Sequence, residues 1–376
     1  MSYQLPENFF FGGAMSGPQT EGKWQDGGKL PNLWDTWSNL DIHAFHNRVG
    51  SYAGNDFTER MEDDLQLLKS LGMDSIRTSI QWSRLLDING NLNPEGEKYY
   101  HHLFAVAKKV GIEIFVNLYH FDMPEYLFNR GGWESREVVE AYAHYARIAF
   151  ETFGKEIRYW FTFNEPIVEP EVRYTLGGWY PFVKNYSRAR AVQYNISLAH
   201  ALGVREYRRA KAAGFMLEDS RIGLINCFAP PYTKENPSEA DLEALRMTDG
   251  VNIRWWLDLV TKGELPRDVI DTLQDRGVDL PIRPEDKLIL ADGVVDWLGC
   301  NYYHPERVQA PAKDTDENGI PNFADPYIWP EAEMNVSRGW EIYPQGLYDF
   351  AMKVRDEYPE LEWFVSENGM GVERED

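Results

Sequence analysis

Two glutamates, Glu165 and Glu367, are the residues of this chain whose type and position best suit chemistry. Glu165 ends an apolar and aromatic run that begins at Tyr159, and Glu367 ends one that begins at Trp363. A turn residue follows each glutamate. Runs of this composition are typical of buried strands, so we expect each carboxylate at the carboxyl end of a strand.

The pairing of the two glutamates indicates a particular reaction. In a barrel of parallel strands, the chemistry takes place at the carboxyl ends of the strands. Two carboxyl groups about 5 Å apart at that face are what a retaining glycosidase uses, one as general acid and base and the other as nucleophile. Either segment alone would more often be a turn with a solvated carboxylate. The presence of both favours the catalytic interpretation.

The elements that must position these carboxylates are short apolar runs that alternate with helical patterns. Seven runs predict strands, and the helical patterns between them predict an α/β fold of the TIM (β/α)8-barrel type. The predicted strands are Phe9–Ala14, Ser75–Ile80, Ile112–Tyr119, Ile157–Phe163, Arg221–Asn226, Val295–Tyr303 and Trp363–Ser366. No glycine-rich phosphate fingerprint follows the first strand, which disfavours a dinucleotide-binding fold. The segment Pro305–Trp340 is predicted to be one long loop.

The predicted barrel is incomplete, because the eighth strand and its helix are missing from the 376 residues. We interpret residues 1–376 as one truncated barrel domain. Open strand edges promote aggregation unless something covers them. We therefore expect a homo-oligomer, or association with a full-length homologue, to cover the open edges.

Composition excludes several classes of protein. A net charge of −22 disfavours nucleic-acid binding. No apolar stretch approaches the ~20 residues of a membrane span, and Met1–Glu7 lacks the features of a signal peptide. Cys227 and Cys300 have no metal-ligand spacing and are interpreted as reduced core thiols. We expect a cytoplasmic protein with no membrane association, no metal and no cofactor.

Five segments together carry a family resemblance. They are Phe10–Ala14 with Gln19 and Glu21, Arg77–Arg84, Tyr119–Pro124, Thr162–Pro166 and Ser366–Gly369. On these motifs the chain resembles the family 1 glycoside hydrolases over its whole length, without the last part of the family pattern. The resemblance implies a TIM barrel that hydrolyses β-glycosides.

The resemblance also implies roles at the reacting centre. Glu165 matches the general acid and base of the family, and Glu367 matches the nucleophile. Arg77 and Tyr303 match groups that hydrogen-bond and orient the nucleophile, and Asn301 matches a nearby support residue.

A second set of matching residues concerns the sugar. Gln19, His120 and Asn164 match residues that hold its hydroxyl groups. Many simple β-glucosidases of the family carry Trp at the positions of Phe121 and Ile167 in this chain. The segment that contains Phe121 is more similar to that of the 6-phospho-β-glucosidases.

The sequence leaves three functions open. The first is a retaining β-glycosidase that hydrolyses β-glucosides, or their 6-phosphates, by double displacement. The second is a catalytically weak or inactive homologue that self-assembles or assists the folding of a full-length glycosidase. The third, which is less well supported, is a carbohydrate-binding protein without chemistry, since binding alone does not require an ion-paired Glu367.

Overall fold

The computed structural model describes residues 5–6, 9–22, 26–316 and 319–373. Residues 1–4 and 7 of the segment Met1–Glu7, for which no signal peptide is predicted, lie outside the described residues. Contacts divide the chain into two compact units. The first unit comprises Met1–Asn164 with Glu206–Ile222, and the second comprises Glu165–Arg205 with Gly223–Asp376. The interpretation of the chain as one domain stays a prediction.

Seven parallel strands in chain order form the sheet of an α/β barrel, which confirms the predicted fold class and strand number. The strands are β1 (Gly12–Ala14), β2 (Ser75–Ser79), β3 (Glu113–Asn117), β4 (Tyr159–Asn164), β5 (Arg221–Cys227), β6 (Trp297–Tyr302) and β7 (Trp363–Asn368). Strands β1 to β4 belong to the first unit, and β6, β7 and most of β5 belong to the second. Most predicted bounds differ from the observed ones by one or two residues.

The helices fill the segments between the strands. They are α1 (Gly17–Thr20), α2 (Leu33–Leu40), α3 (Phe57–Ser70), α4 (Trp82–Leu85), α5 (Pro94–Val110), α6 (Glu125–Phe128), α7 (Arg136–Phe153), α8 (Tyr186–Ala212), α9 (Glu239–Asp249), α10 (Trp255–Lys262), α11 (Arg267–Asp275), α12 (Asp286–Leu290) and α13 (Gln345–Glu357). Among the helices of the described residues, none combines the length and the hydrophobicity that a membrane-spanning helix requires.

Local sequence explains where α5 begins and ends. The Asn93 side chain accepts a hydrogen bond from the amide of Glu95, and Pro94 occupies the first turn, where its missing N–H is not needed. Gly111 ends the helix with φ of 79°, a left-handed conformation that glycine adopts without steric cost. These signals are local, so the sequence predicts this helix closely.

Each unit has an aromatic core of its own. In the first unit, Trp82 stacks on Tyr145 with ring centroids 5.1 Å apart. In the second, Phe228 stacks on Phe350 at 4.6 Å. Stacked and edge-to-face ring pairs of this kind add to the free energy gained from burying apolar area.

Strand β7 differs from its neighbours in burial. All of its residues are half-buried or exposed, and Val365 is 44% exposed. In β6, by contrast, every residue after Trp297 is buried. Strand β7 stands last in the order of the sheet, so within the described part of the chain one of its edges pairs with a barrel strand, β6.

The prediction of one long loop over Pro305–Trp340 is wrong in detail. Short strands form at Glu306–Gln309, Asp325–Pro326, Met334–Asn335 and Trp340–Glu341. Three of them are only two residues long, which is too short to show an alternating pattern in the sequence. Long-range pairing, such as that of Val308 with Pro326, creates them.

Candidate functional site

Glu165 lies directly after β4 and is held through both its backbone and its side chain. Its φ is 47°, a left-handed conformation that residues other than glycine seldom adopt and that often marks functional sites. Its amide donates to the carbonyl oxygen of Ile225 at 2.8 Å. The Nδ2 atom of Asn301 donates to Oε1 of Glu165, also at 2.8 Å. The carboxyl group is thereby fixed beside the carboxyl ends of β5 and β6.

Glu367 lies on β7, half-buried, and accepts a hydrogen bond from the hydroxyl group of Tyr303. A register shift between Val365 and Glu367 leaves Ser366 as an extra residue opposite β6. Bulges of this kind redirect side chains. The Ser366 hydroxyl donates to Oδ1 of Asn301 at 2.7 Å, and the Cα of Asn301 pairs in register with Glu367.

Asn301 therefore connects the two glutamates within the second unit. Because its Oδ1 accepts from Ser366, its Nδ2 is on the side of Glu165 and donates to that carboxyl group. Asn301 is fully buried, so this amide has little freedom to reorient. The second unit thus brings four predicted site residues together: Glu165, Asn301, Tyr303 and Glu367.

The first unit contains a second hydrogen-bonded set of predicted residues. The Nη1 atom of Arg77 donates to Oδ1 of Asn164 at 2.8 Å, and Nδ2 of Asn164 lies 3.2 Å from Nε2 of His120. All three side chains are buried. Burial, followed by the charge of Arg77, holds the pKa of His120 well below its usual range, so the imidazole is neutral.

The hydrogen-bond directions in this set assign the tautomer of His120. Arginine can only donate, so the oxygen of Asn164 accepts from Arg77 and the nitrogen of Asn164 donates to Nε2. The proton of the neutral ring is then on Nδ1. That atom has no hydrogen-bond partner among the residues that the structure describes. A buried donor of this kind is suited to bind a ligand hydroxyl group.

Asp122 supports the histidine and was not singled out in the sequence, although the motif Tyr119–Pro124 contains it. Its carboxyl oxygens accept the amide N–H of His120 at 3.1 Å and that of Trp82 at 2.9 Å. Burial raises the pKa of Asp122 to about 7.

Gln19 belongs to α1 and is exposed. Its Oε1 accepts from the Ser16 hydroxyl at 2.8 Å. Glu21, just after the helix, accepts from Nε of Arg84 at 2.8 Å and from Nε2 of Gln81 at 2.6 Å. This buried carboxylate anchors the end of α1 and so orients the segment that carries Gln19.

Trp340 is a second residue that the sequence analysis did not select, because it lies at the end of the segment predicted as a loop. Its ring centroid lies 5.5 Å from that of Tyr303 and 5.0 Å from that of His304. The guanidinium of Arg338 lies 5.2 Å from the same ring. Trp340 is half-buried beside the tyrosine that contacts Glu367, a place where an aromatic face suits contact with a sugar ring.

Comparison with known proteins places this geometry in a family. The sequence profile of Glycosyl hydrolase family 1 matches residues 1–376. The 6-phospho-beta-glucosidase GmuD of Bacillus subtilis is 38% identical over 378 residues, which cover 100% of this chain and 80% of that protein. The Beta-glucosidase A of Acetivibrio thermocellus is 30% identical over 372 residues, covering 99% of this chain and 80% of that protein.

Solved structures of family 1 enzymes are similar to this chain as well. A beta-glucosidase from Exiguobacterium marinum superposes with a TM-score of 0.87 at 28% identity, over 99% of this chain and 80% of that chain. The family 1 b-glucosidase from Thermotoga maritima gives a TM-score of 0.84 at 27% identity, over 98% and 79% of the two chains. These similarities confirm both the predicted barrel fold and the predicted resemblance. The chain belongs to glycosyl hydrolase family 1.

Proposed function

We propose that the chain is a retaining β-glycosidase in which Glu165 is the general acid and base and Glu367 is the nucleophile. The observation that carries this proposal is the position of Asn301. It pairs in register with Glu367 and donates to Glu165 at 2.8 Å, so one buried residue contacts the first carboxylate and lies on the strand position opposite the second. Tyr303 adds a donor to Glu367.

The proposed reaction has two steps and uses no cofactor. In the first, the Glu367 carboxylate attacks the anomeric carbon while Glu165 protonates the departing glycosidic oxygen. In the second, Glu165 takes a proton from water, which attacks the same carbon and releases Glu367. The hydrogen bond from Tyr303 keeps Glu367 oriented and favours its ionised form before attack.

Three further residues are proposed to hold the sugar. Asn164 precedes Glu165 in the chain, and His120 carries a buried donor at Nδ1. We assign sugar hydroxyl groups to these two side chains and to Gln19. Arg77 fixes the Asn164 amide, which in turn fixes the His120 tautomer.

We propose a β-glucoside 6-phosphate as the substrate, ahead of the unphosphorylated β-glucoside. A relative named as a 6-phospho-beta-glucosidase is 38% identical over the whole chain, whereas one named as a beta-glucosidase is 30% identical. Other relatives are named as 6-phospho-beta-galactosidases, one of them 33% identical. The galactoside 6-phosphate is therefore the third substrate to test.

The test is the release of 4-nitrophenol from the 4-nitrophenyl β-glucoside, its 6-phosphate and the β-galactoside 6-phosphate. We expect turnover, with the largest kcat/KM for the glucoside 6-phosphate. Glu367→Ala and Glu165→Ala serve as controls. Azide should restore activity in both variants and give glycosyl azides of opposite anomeric configuration. A wild-type chain that does not exceed the Glu367→Ala background would contradict the proposal, and binding without turnover would favour a carbohydrate-binding role.

Retention is tested separately, because hydrolysis alone does not establish double displacement. Proton NMR during the first minutes of reaction should show the β-anomer of the product. A 2-deoxy-2-fluoro glycoside with a good leaving group should label the peptide that contains Glu367. Initial formation of the α-anomer would exclude the mechanism while leaving hydrolysis intact.

Association with another chain is a second proposal, favoured by the exposure of β7 and its Val365. We propose a second copy of the chain as the occupant, in a cytoplasmic protein. Sedimentation velocity should show a dimer that Val365→Lys converts to a monomer, whereas a wild-type monomer at all concentrations would contradict it. Nothing in the comparisons supports the alternative in which the chain assists the folding of another glycosidase.

A further inference from the structure

Cys227 is the last residue of β5 and lies in one row with two residues of the candidate site. Its Cα pairs in register with Asn301 on β6, and Asn301 pairs with Glu367 on β7. The amide of Glu165 donates to the carbonyl of Ile225, two residues before Cys227. The thiol is half-buried, which corrects the expectation of a core cysteine; Cys300, in contrast, is buried.

The strand register places Cys227 beside Asn301, whose Nδ2 donates to Oε1 of Glu165 at 2.8 Å, so the thiol lies next to this carboxyl group. Burial raises the pKa of the Cys227 thiol well above its usual range. The negative charge of Glu165 is the second cause of this increase. The other groups that act on the thiol are Cys300 and Glu306, and both raise the pKa further. Cys227 is therefore a protonated thiol throughout the neutral range, and it can donate to a carboxylate.

We propose that Cys227 is a positioning residue for Glu165, whose thiol donates to the carboxyl group and sets the pH at which that group loses its proton. Together with Asn301, it gives the carboxyl group two donors from adjacent strands. The inference rests on the proposed role of Glu165 as general acid. Both donors favour the ionised carboxylate, so the loss of one should keep Glu165 protonated to higher pH.

The first test is the pH profile of kcat/KM for phenyl and 2,4-dinitrophenyl β-glucosides, or for their 6-phosphates. A phenyl leaving group needs an acid, whereas dinitrophenolate leaves without one. For Cys227→Ala we expect kcat/KM on the phenyl substrate to fall about 3- to 10-fold, and its alkaline limb to move up by about half a pH unit. The dinitrophenyl substrate should be almost unaffected.

Two variants separate positioning from simple damage. Cys227→Ser keeps a donor and should restore the alkaline limb to within about 0.2 pH units of wild type. Cys300→Ala removes the neighbouring buried thiol and should leave the limb unchanged. Equal losses on both substrates, or the same limb in wild type and Cys227→Ala, would overturn the inference.

A second test does not depend on activity. In a Cys300→Ala background, the rate at which iodoacetamide alkylates Cys227 at about pH 8.5 reports its thiolate fraction. Glu165→Gln removes the adjacent charge and should raise that rate about 10-fold. Glu367→Gln, two strands away, should raise it much less. An unchanged alkylation rate in Glu165→Gln would contradict the inference. An inactive wild type that shows the expected alkylation rates would contradict only the proposed hydrolysis.

Discussion

Asn301 donates through Nδ2 to Oε1 of Glu165 at 2.8 Å, from a position where its own side chain is completely buried. A buried amide with both ends bonded has one orientation available. The Ser366 hydroxyl occupies its oxygen, so a change at Asn301 disturbs the surroundings of the acid and the strand of the nucleophile together.

Replacement of Asn301 should therefore reduce catalysis more than stability. We expect Asn301→Ala to lower kcat/KM by about 10- to 100-fold, which corresponds to the loss of one hydrogen bond to a charged group. Asn301→Asp should also move the alkaline limb of the pH profile upward, because it places a second negative charge beside Glu165. The measurements are steady-state kinetics across pH and thermal unfolding.

Asn335→Ala is the matched control for Asn301. Asn335 is also a buried asparagine, and its Nδ2 donates to the carbonyl of Gly371 at 2.9 Å. A loss of activity as large in Asn335→Ala as in Asn301→Ala would show that the effect is structural.

The hydroxyl group of Tyr303 should matter for the charge of Glu367. Tyr303→Phe removes the donor to that carboxylate and keeps the ring. We expect kcat to fall about 100-fold and the acidic limb of the pH profile to move to higher pH, because the ionised nucleophile loses a hydrogen bond. Tyr358→Phe is the control, since Tyr358 donates to the carboxylate of Asp258 at 2.9 Å. An acidic limb at the wild-type pH in Tyr303→Phe would argue against this contact.

Gly299 on β6 should tolerate no side chain. A Cβ at this position would lie 2.5 Å from Cγ1 of Ile225 and 2.7 Å from Oγ of Ser366. Gly299→Ala must therefore displace Ser366, which bonds to Asn301. We expect a loss of about 1–3 kcal/mol in the free energy of unfolding, and lower activity. In Gly13→Ala, the one atom of the described residues within 4 Å of the new Cβ is Sδ of Met73 at 3.9 Å, so both properties should stay unchanged. Equal denaturation midpoints for the two variants would contradict the prediction.

Glu306 should make stability depend on pH. It is half-buried, and burial raises its pKa from 4.5 to about 7, although Nδ2 of Asn252 donates to it at 2.8 Å. A carboxyl group with a raised folded-state pKa contributes stability that is fully present below about pH 4.5 and is lost as the pH rises to about 7.

We therefore expect Glu306→Gln to flatten the fall in unfolding free energy between pH 4.5 and about 7. At about pH 7.5, the free energy of unfolding of Glu306→Gln should exceed that of wild type by an amount on the order of 1–2 kcal/mol, after allowance for the partial exposure of the side chain. Asp122, whose pKa is about 7, is still present in this variant, so part of the dependence of the unfolding free energy on pH should persist. Urea unfolding at several pH values measures this, with the exposed Glu360→Gln as control. Parallel curves for wild type and Glu306→Gln would refute the expectation.

The sequence by itself determined the elements and the candidate chemistry. Alternating apolar runs that end in turn residues depend on local preferences, so all seven strands could be predicted, and with them the strand-end positions of Glu165 and Glu367. The family resemblance implied Asn301 and Tyr303 as well. Because side chains at the carboxyl ends of parallel strands share one edge of a sheet, their grouping followed from the fold class.

Only the tertiary structure decided which atoms of these residues meet. The bulge at Ser366 orients the Asn301 amide, and the register of β5 with β6 places Cys227 opposite Asn301. The exposure of β7 and the raised pKa of Asp122 are likewise absent from any local pattern. The reason is physical. Strand register and burial depend on contacts between residues far apart in the chain, whereas a periodic sequence pattern reflects only the local preferences of residues that are close together in the chain.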